Sequence, residues 1–368
     1  MRNERLYFAV STLAGCLWGF LALVRRFQAP WRRDKMRSQG EAPTRVLVIR
    51  LDELGDMVTT LPMLKAIRLK NPHGVVDLWC KPIHADWLVP QSLVNTVWTG
   101  TGPIGKERYD WILECRGNWQ TLGYALRTLP GGRRDRGSIR LRQRLWDKSQ
   151  FHEWDINMRI AAPLLNLSSI PSRHSWKYSD LSPLLHAEDP VAVAEINLFK
   201  QRLDLERYVV FHTGARKLLR RWSLQSWTDL ARRLHHDFEL EIVFVGTPDE
   251  RLDVDRIRGM LDFDTFTYME GRPIRNLLPL LAQASLMVGN ESGPMHLASA
   301  TGCPTVGLFG PGEPEIFSPK AANFRALHVK LPCNPCGQLR CIHPDNPCIN
   351  RIAVDDVMKA ARDLFQST

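Results

Sequence analysis

The stretch Val46–Met57, VLVIRLDELGDM, decides how the fold is read. Val46–Arg50 is a short apolar run of the buried-strand kind, followed by a Gly-containing loop and a helix-like segment reaching Lys70. Pro62 lies inside that segment and marks its early part or a kink. Strand-like runs recur at Val75–Cys80, Thr96–Trp98 and Tyr109–Cys115, with helical or loop segments between them. This alternation predicts a parallel α/β sheet. After a helical pattern at Asp155–Leu167, the stretch Ser168–Leu205 holds Pro171, Pro183 and Pro190, and the domain junction is placed near residue 190. A second series begins at Tyr208–His212 (YVVFH), and Leu224, Trp227, Leu230, Ala231 and Leu234 then share one helical face. Glu241–Val245, Leu286–Val288 and Thr305–Phe309 supply further strands, and a last helix runs from about Val354 to Phe365. Two successive α/β sheets imply a cleft, with ligands at the C-terminal ends of strands.

The rest of the chain agrees with a globular reading. Of 368 residues, 44% are apolar and 24% charged, which excludes disorder and small disulfide scaffolds. The net charge of +10 is uneven, because residues 1–37 hold eight basic and two acidic side chains. That distribution favours a membrane surface or an anionic ligand over nucleic acid. Residues 6–24 (LYFAVSTLAGCLWGFLALV) are uncharged and mostly apolar. As a helix they measure about 28 Å, close to the hydrocarbon thickness of a bilayer. The expected form is a hydrophobic helix that anchors the chain, with an interfacial helix and a signal sequence as rivals. Arg25, Arg26, Arg32, Arg33, Lys35 and Arg37 follow it and place the body of the protein in the cytoplasm. The segment plan is therefore an anchor and basic linker at 1–43, a first domain at 44–190 and a second at 191–368.

Three segments carry chemistry. In Arg50–Met57, Asp56 falls at a helix start, where it is either a capping residue or a carboxylate able to take a proton from a hydroxyl nucleophile. In His212–Trp227 (HTGARKLLRRWSLQSW), Thr213, Gly214 and Ala215 permit close backbone approach. Arg216, Lys217, Arg220 and Arg221 make the following loop either a diphosphate site or an ordinary exposed basic surface. In Gly289–Phe317, the turn Asn290-Glu291-Ser292-Gly293 precedes a helix beginning near Pro294, an arrangement suited to phosphate or ribose hydroxyls. His296 sits one turn in, as a pocket residue or a hydrogen-bonded structural histidine. Walker A and nucleophile-elbow patterns are absent from the sequence. Arg133–Lys148 is a basic stretch that reads as a solvated face or as an approach to lipid head groups. Cys333, Cys336, Cys341 and Cys348 are spaced so that four thiolates could take a structural zinc, with plain packing or disulfides as alternatives.

Together the three segments resemble glycosyltransferase family 9, the heptosyltransferases of lipopolysaccharide core assembly, over about residues 44–366. The resemblance implies a GT-B-like fold of two Rossmann-like domains facing a cleft, and an inverting, metal-independent reaction that needs no cofactor. It makes Asp56 the general base and Arg220, at a position usually Lys, the group on the departing diphosphate. Thr213, Gly214, Ala215, Arg221, Glu250, Glu291, Ser292, Gly293 and His296 would line the donor pocket. His212-Thr213 stands where His-Pro is common, and Glu291-Ser292-Gly293 where an Asp opens the motif. Related sequences often carry cysteines in the last segment too. The implied partners are a nucleotide sugar, ADP-heptose first, and an anionic glycolipid acceptor at the cytoplasmic face of the inner membrane. Rival readings are a transferase using another nucleotide sugar and a catalytically silent, membrane-bound glycan-binding protein.

Overall fold

The computed structural model describes residues 6–7, 9–15, 44–103, 108–147, 151–165, 178–269, 271–336 and 340–366. Internal contacts divide the chain into two compact units, Met1–Lys177 and Tyr178–Thr368. The division falls ahead of residue 190 because Leu184 and Leu185 already donate backbone N–H bonds to the Ala300 carbonyl, at 2.9 and 3.0 Å.

The first unit carries strands β1 (Arg45–Arg50), β2 (Val75–Cys80), β3 (Thr96–Trp98), β4 (Trp111–Arg116) and β5 (Gly132–Asp135). They form one parallel sheet in the order β3-β2-β1-β4-β5. Its helices are α1 (Leu54–Val58), α2 (Leu61–Lys70), α3 (Pro82–Leu88), α4 (Trp119–Thr128), α5 (Arg136–Arg142) and α6 (Glu153–Ala161). Val46–Ile49 are wholly buried, as a strand covered on both faces requires. Pro62 sits at the second position of α2, where its missing N–H costs no helical bond. α4 starts at a capping box, with Asn118 accepting from the Thr121 N–H and Thr121 Oγ1 accepting from the Asn118 N–H. β5, with sequence GRRD, carries no hydrophobic signal. It forms because Gly132 lies flat against the Trp111 ring, where a Cβ would come within 2.3 Å, and because its charged side chains find buried partners.

The second unit carries β6 (Tyr208–His212), β7 (Glu241–Val245), β8 (Phe266–Tyr268), β9 (Leu286–Asn290), β10 (Thr305–Phe309) and β11 (Phe324–His328). This parallel sheet has the order β11-β10-β9-β6-β7-β8. Its helices are α7 (Pro190–Arg202), α8 (Leu224–Phe238), α9 (Arg251–Arg258), α10 (Ile274–Ala282), α11 (Gly293–Thr301), α12 (Pro314–Phe317) and α13 (Val354–Phe365). Trp227, Leu230, Ala231 and Leu234 of α8 are fully buried against β6 and β7, so the expected apolar face is the packed one. In both sheets the strand order reverses once, between β1 and β4 and between β6 and β9. Ligand sites in such sheets lie at that reversal, beyond the strands' C-terminal ends.

The expected hydrophobic anchor is described only in part. Residues 6–7 and 9–15 are helical, and among the described residues no helix is long and apolar enough to cross a membrane. Residues 16–24 of the expected span, and the basic linker, lie outside the described residues.

Candidate functional site

At the first reversal, β1 ends in Arg50, a guanidinium with no exposure that reaches three side chains. Its Nη2 lies 3.1 Å from Asp56 Oδ1 and 3.4 Å from Asp52 Oδ2, and its Nη1 donates to Asn157 Oδ1 at 3.5 Å. Arg116, at the end of β4, holds the other oxygen of Asp52 at 3.3 Å. Burial pushes the Asp52 carboxyl up, while both arginines pull it down. Asp56 lies in the first turn of α1, yet it caps nothing. The N-cap is Glu53, and the Asp56 carboxylate turns to Arg50 instead. Thr59 and Thr60 donate to the Asp56 carbonyl at 2.7 and 3.1 Å, which fixes the backbone that carries it. The Asp56 side chain keeps 37% exposure, so a partly open carboxylate is held in place by a buried cation. Arg50 and Asn157 are the residues that sequence reasoning passed over. Their signal was weak: Arg50 is a charge at the end of an otherwise apolar strand.

At the second reversal, His212 closes β6 and uses both ring nitrogens. Nδ1 lies 2.9 Å from Ser292 Oγ, and Nε2 lies 3.4 Å from Glu250 Oε2. In the neutral ring with the proton on Nε2, Glu250 accepts and the Ser292 hydroxyl donates to Nδ1. Glu250 also accepts from the Thr247 N–H at 2.9 Å. Burial works upward on its carboxyl, but these bonds outweigh it and hold the group below the ordinary range. Gly214 leaves the room that the Glu250 carboxylate takes, because a Cβ at that position would come within 1.7 Å of it. Asn290, at the end of β9, donates to the Thr213 carbonyl at 2.7 Å and accepts from the Trp222 N–H at 3.2 Å. Ser292 is the N-cap residue of α11 but directs its hydroxyl to His212 rather than to the helix, and Pro294 follows in the first turn. The expected residues Thr213, Gly214, Ala215, Glu250, Glu291, Ser292, Gly293 and His296 thus gather around the ends of β6 and β9 and the start of α11.

Two arginines serve different partners. Arg220 Nη1 lies 3.1 Å from Glu291 Oε1, and burial pushes that carboxyl up to about 7 against the pull of Arg220 and Lys217. Gly312 packs against Glu291 so closely that a Cβ there would come within 2.0 Å of its carboxylate. Arg221 instead donates from Nε to the Ala215 carbonyl at 2.9 Å and pairs with Asp253 at 3.2 Å, bracing the loop that follows β6. Arg220 is therefore placed at the end of β9, whereas Arg221 is tied to α9.

The model of glycosyltransferase family 9 (heptosyltransferase) matches residues 132–345. The chain belongs to this family. It is 24% identical over 152 residues to lipooligosaccharide heptosyltransferase 2 of Campylobacter jejuni subsp. jejuni serotype O:2, covering 40% of this chain and 48% of that protein. The chain thus matches about half the length of that Campylobacter relative. Lipopolysaccharide heptosyltransferase 1 of Pseudomonas aeruginosa is 24% identical over 330 residues, covering 81% of this chain and 88% of the relative. In fold the chain is similar to the ADP-heptose lipopolysaccharide heptosyltransferase II of E. coli, with TM-score 0.68, 18% identity, and coverage of 88% of this chain and 99% of that one.

In this family 9 chain two sequence expectations are corrected. Cys333, Cys336, Cys341 and Cys348 do line one small cavity of about 40 Å³, together with Asn334 and His343. Yet no group of three or more His, Cys, Asp or Glu among the described residues is placed to hold a metal ion, so the expected zinc set is not formed. The sulfurs meet protein groups instead: Cys333 donates to Asn334 Oδ1 at 3.6 Å, and Cys341 accepts from the His343 N–H at 3.4 Å. The basic stretch from Arg133 is not a solvated face at its start either. Arg133 has no exposure and pairs with Glu114 and Asp135, while Arg136 and Arg140 converge on the buried carboxylate of Glu153.

Proposed function

We propose that the chain is an inverting glycosyltransferase that moves heptose from ADP-heptose onto a lipopolysaccharide-core or related surface glycan. The observation that carries the reading is the cluster His212–Glu250–Ser292 beside Arg220, at the strand reversal of the second unit of a family 9 chain. Small residues, a carboxylate and a helix start suit a ribose and a diphosphate. The donor assignment draws on the relatives, heptosyltransferases by name, one of them named for ADP-heptose.

In this mechanism Asp56 takes the proton of the acceptor hydroxyl, which attacks the anomeric carbon as the nucleotide diphosphate leaves from the opposite face. Arg50 is a positioning residue: it fixes the carboxylate so that its proton-accepting direction is set before the acceptor arrives. Arg220 meets the leaving diphosphate. Glu291, protonating near neutrality, can give up its hold on Arg220 and release that cation to the phosphates. Cationic side chains and the N–H groups at the start of α11 take the place of a divalent ion, so the reaction is metal-independent and needs no cofactor. The acceptor is an anionic glycolipid at the cytoplasmic face of the inner membrane.

A donor screen with the purified chain tests this reading, scoring nucleotide diphosphate release in the presence and absence of EDTA. ADP-heptose should give the fastest release, unchanged by chelation. Preference for another nucleotide sugar would move the donor assignment. Glycan binding with no release from any donor would replace the enzyme with a binding protein.

A further inference from the structure

Among the described residues of the N-terminal helix, polar groups turn inward and three apolar ones turn outward. Its buried face, spaced i, i+4, i+8, is Tyr7, Ser11 and Gly15, whereas Leu6, Val10 and Leu13 stand outward at 57%, 36% and 70% exposure. A helix packing on a protein core in water does the reverse. The inward face meets a buried ionic network at the β4–β5 edge of the first sheet. Glu114 accepts from Tyr7 Oη and from Ser11 Oγ, the latter at 3.1 Å. Arg133 donates to Ser11 Oγ at 2.7 Å and to the Ser11 carbonyl at 3.2 Å, and pairs with Glu114 at 3.3 Å. Tyr7 also packs edge-on against Trp119, itself 45% exposed, with ring centroids 5.5 Å apart. Small residues allow the close approach. A Cβ on Gly15 would come within 1.9 Å of Asp135, and one on Gly137 would come within 2.2 Å of Thr12 Oγ1 and 3.4 Å of Thr12 Cβ.

We infer that this helix is a fixed lipid-facing surface, clamped to the first unit by Glu114 and Arg133 and laying Leu6, Val10 and Leu13 into the face of an anionic bilayer. Two features select that occupant. The outward face is apolar along one stripe, which water penalises and an acyl boundary accepts. The sequence around it is strongly basic, with eight basic and two acidic side chains in residues 1–37, so an anionic head-group layer complements it. The inference extends the membrane assignment of the proposed function. It makes part of the anchoring segment a surface that sets how the first unit meets the membrane.

The test uses the full chain and vesicles of phosphatidylethanolamine with phosphatidylglycerol, against phosphatidylcholine alone. Flotation should recover the protein with the anionic vesicles. The triple variant Leu6→Gln/Val10→Gln/Leu13→Gln should bind at least about tenfold more weakly, while sugar transfer to a short soluble acceptor is unchanged. Leu13→Gln alone, at the most exposed of the three positions, reports in the same direction if the triple variant misfolds. Clamping is read separately by Thr12→Cys/Gly137→Cys, since the Cβ spacing is near that of a disulfide. Treated with a mild oxidant such as copper phenanthroline, the membrane-bound double variant should form that crosslink, identified by peptide mass. Wild-type vesicle binding by the triple variant would overturn the inference. So would a chain that resists alkaline carbonate extraction and fails to crosslink, because the helix would then leave the domain and span. Loss of self-association rather than of vesicle binding in the triple variant would assign the surface to a second copy and overturn it as well. Absence of transfer by the unsubstituted chain, with its vesicle binding intact, would count against the proposed activity alone.

Discussion

The two units use their charges in opposite ways. In the second, the polar side chains of interest sit at strand ends and at a helix start. His212, Glu250 and Glu291 are 5%, 9% and 7% exposed, Ser292 is half-buried, and Arg220 keeps 24%. In the first, charges are driven into the fold: Arg50 and Arg133 have no exposure, and Glu153 is likewise buried under Arg136 and Arg140. A buried ion pair repays its desolvation only when its geometry is well satisfied, and removing one partner strands the other. The first unit is therefore held by its charges, and the second carries them at its strand ends. Asp56 departs from this pattern, as a partly open carboxylate resting on a buried arginine.

Substitutions can break that contrast. The largest effect is expected from Asp56→Asn, which keeps the shape but cannot take a proton. Turnover should fall about 10²–10⁴-fold, with ADP affinity near wild type by calorimetry. Full turnover by a folded Asp56→Asn protein would remove the base assignment. Next comes Arg133→Ala, which leaves Glu114 buried without its cation and should cost about 3–5 kcal/mol in denaturant unfolding. The same truncation at Arg233, whose partner Asp355 is 83% exposed, should cost about 1 kcal/mol or less. Equal costs would erase the distinction between structural and surface charge.

Arg220→Ala should cost less stability than Arg133→Ala, because Glu291 can take a proton in place of the cation, and should weaken ADP binding by about tenfold to a hundredfold, the worth of a charge-assisted contact. Unchanged ADP affinity would move the phosphate contact to another group. The smallest effect is at Glu291. Its carboxyl titrates near 7 in the folded chain against an ordinary value of 4.5, so the folded state binds the extra proton. Stability should therefore be greatest below the ordinary value and decline as pH rises toward 7. Glu291→Gln should flatten that decline, changing the difference in melting temperature between pH 5 and pH 8 by on the order of a few degrees. An identical pH slope in both proteins would mean that Glu291 is already ionised.

The amino-acid sequence alone determined the alternation of strands and helices, the apolar face of α8, the final helix at Val354–Phe365 and the motif positions around His212 and Glu291. These are properties of neighbours in the chain: apolar periodicity, a glycine where backbone must approach closely, a proline in a first helical turn. The family resemblance was legible for the same reason, and the matched model spans residues 132–345. Tertiary structure decided what neighbours cannot report. Whether Arg133 faces water or Glu114 depends on a strand and a helix far from it in sequence, and so does the turning of Asp56 from capping to Arg50. The same holds for residues 6–15. Composition gives their hydrophobicity, but only the buried pair of Glu114 and Arg133 selects which face turns inward, because desolvated charges must be met by Tyr7 and Ser11 while the leucines are left outside.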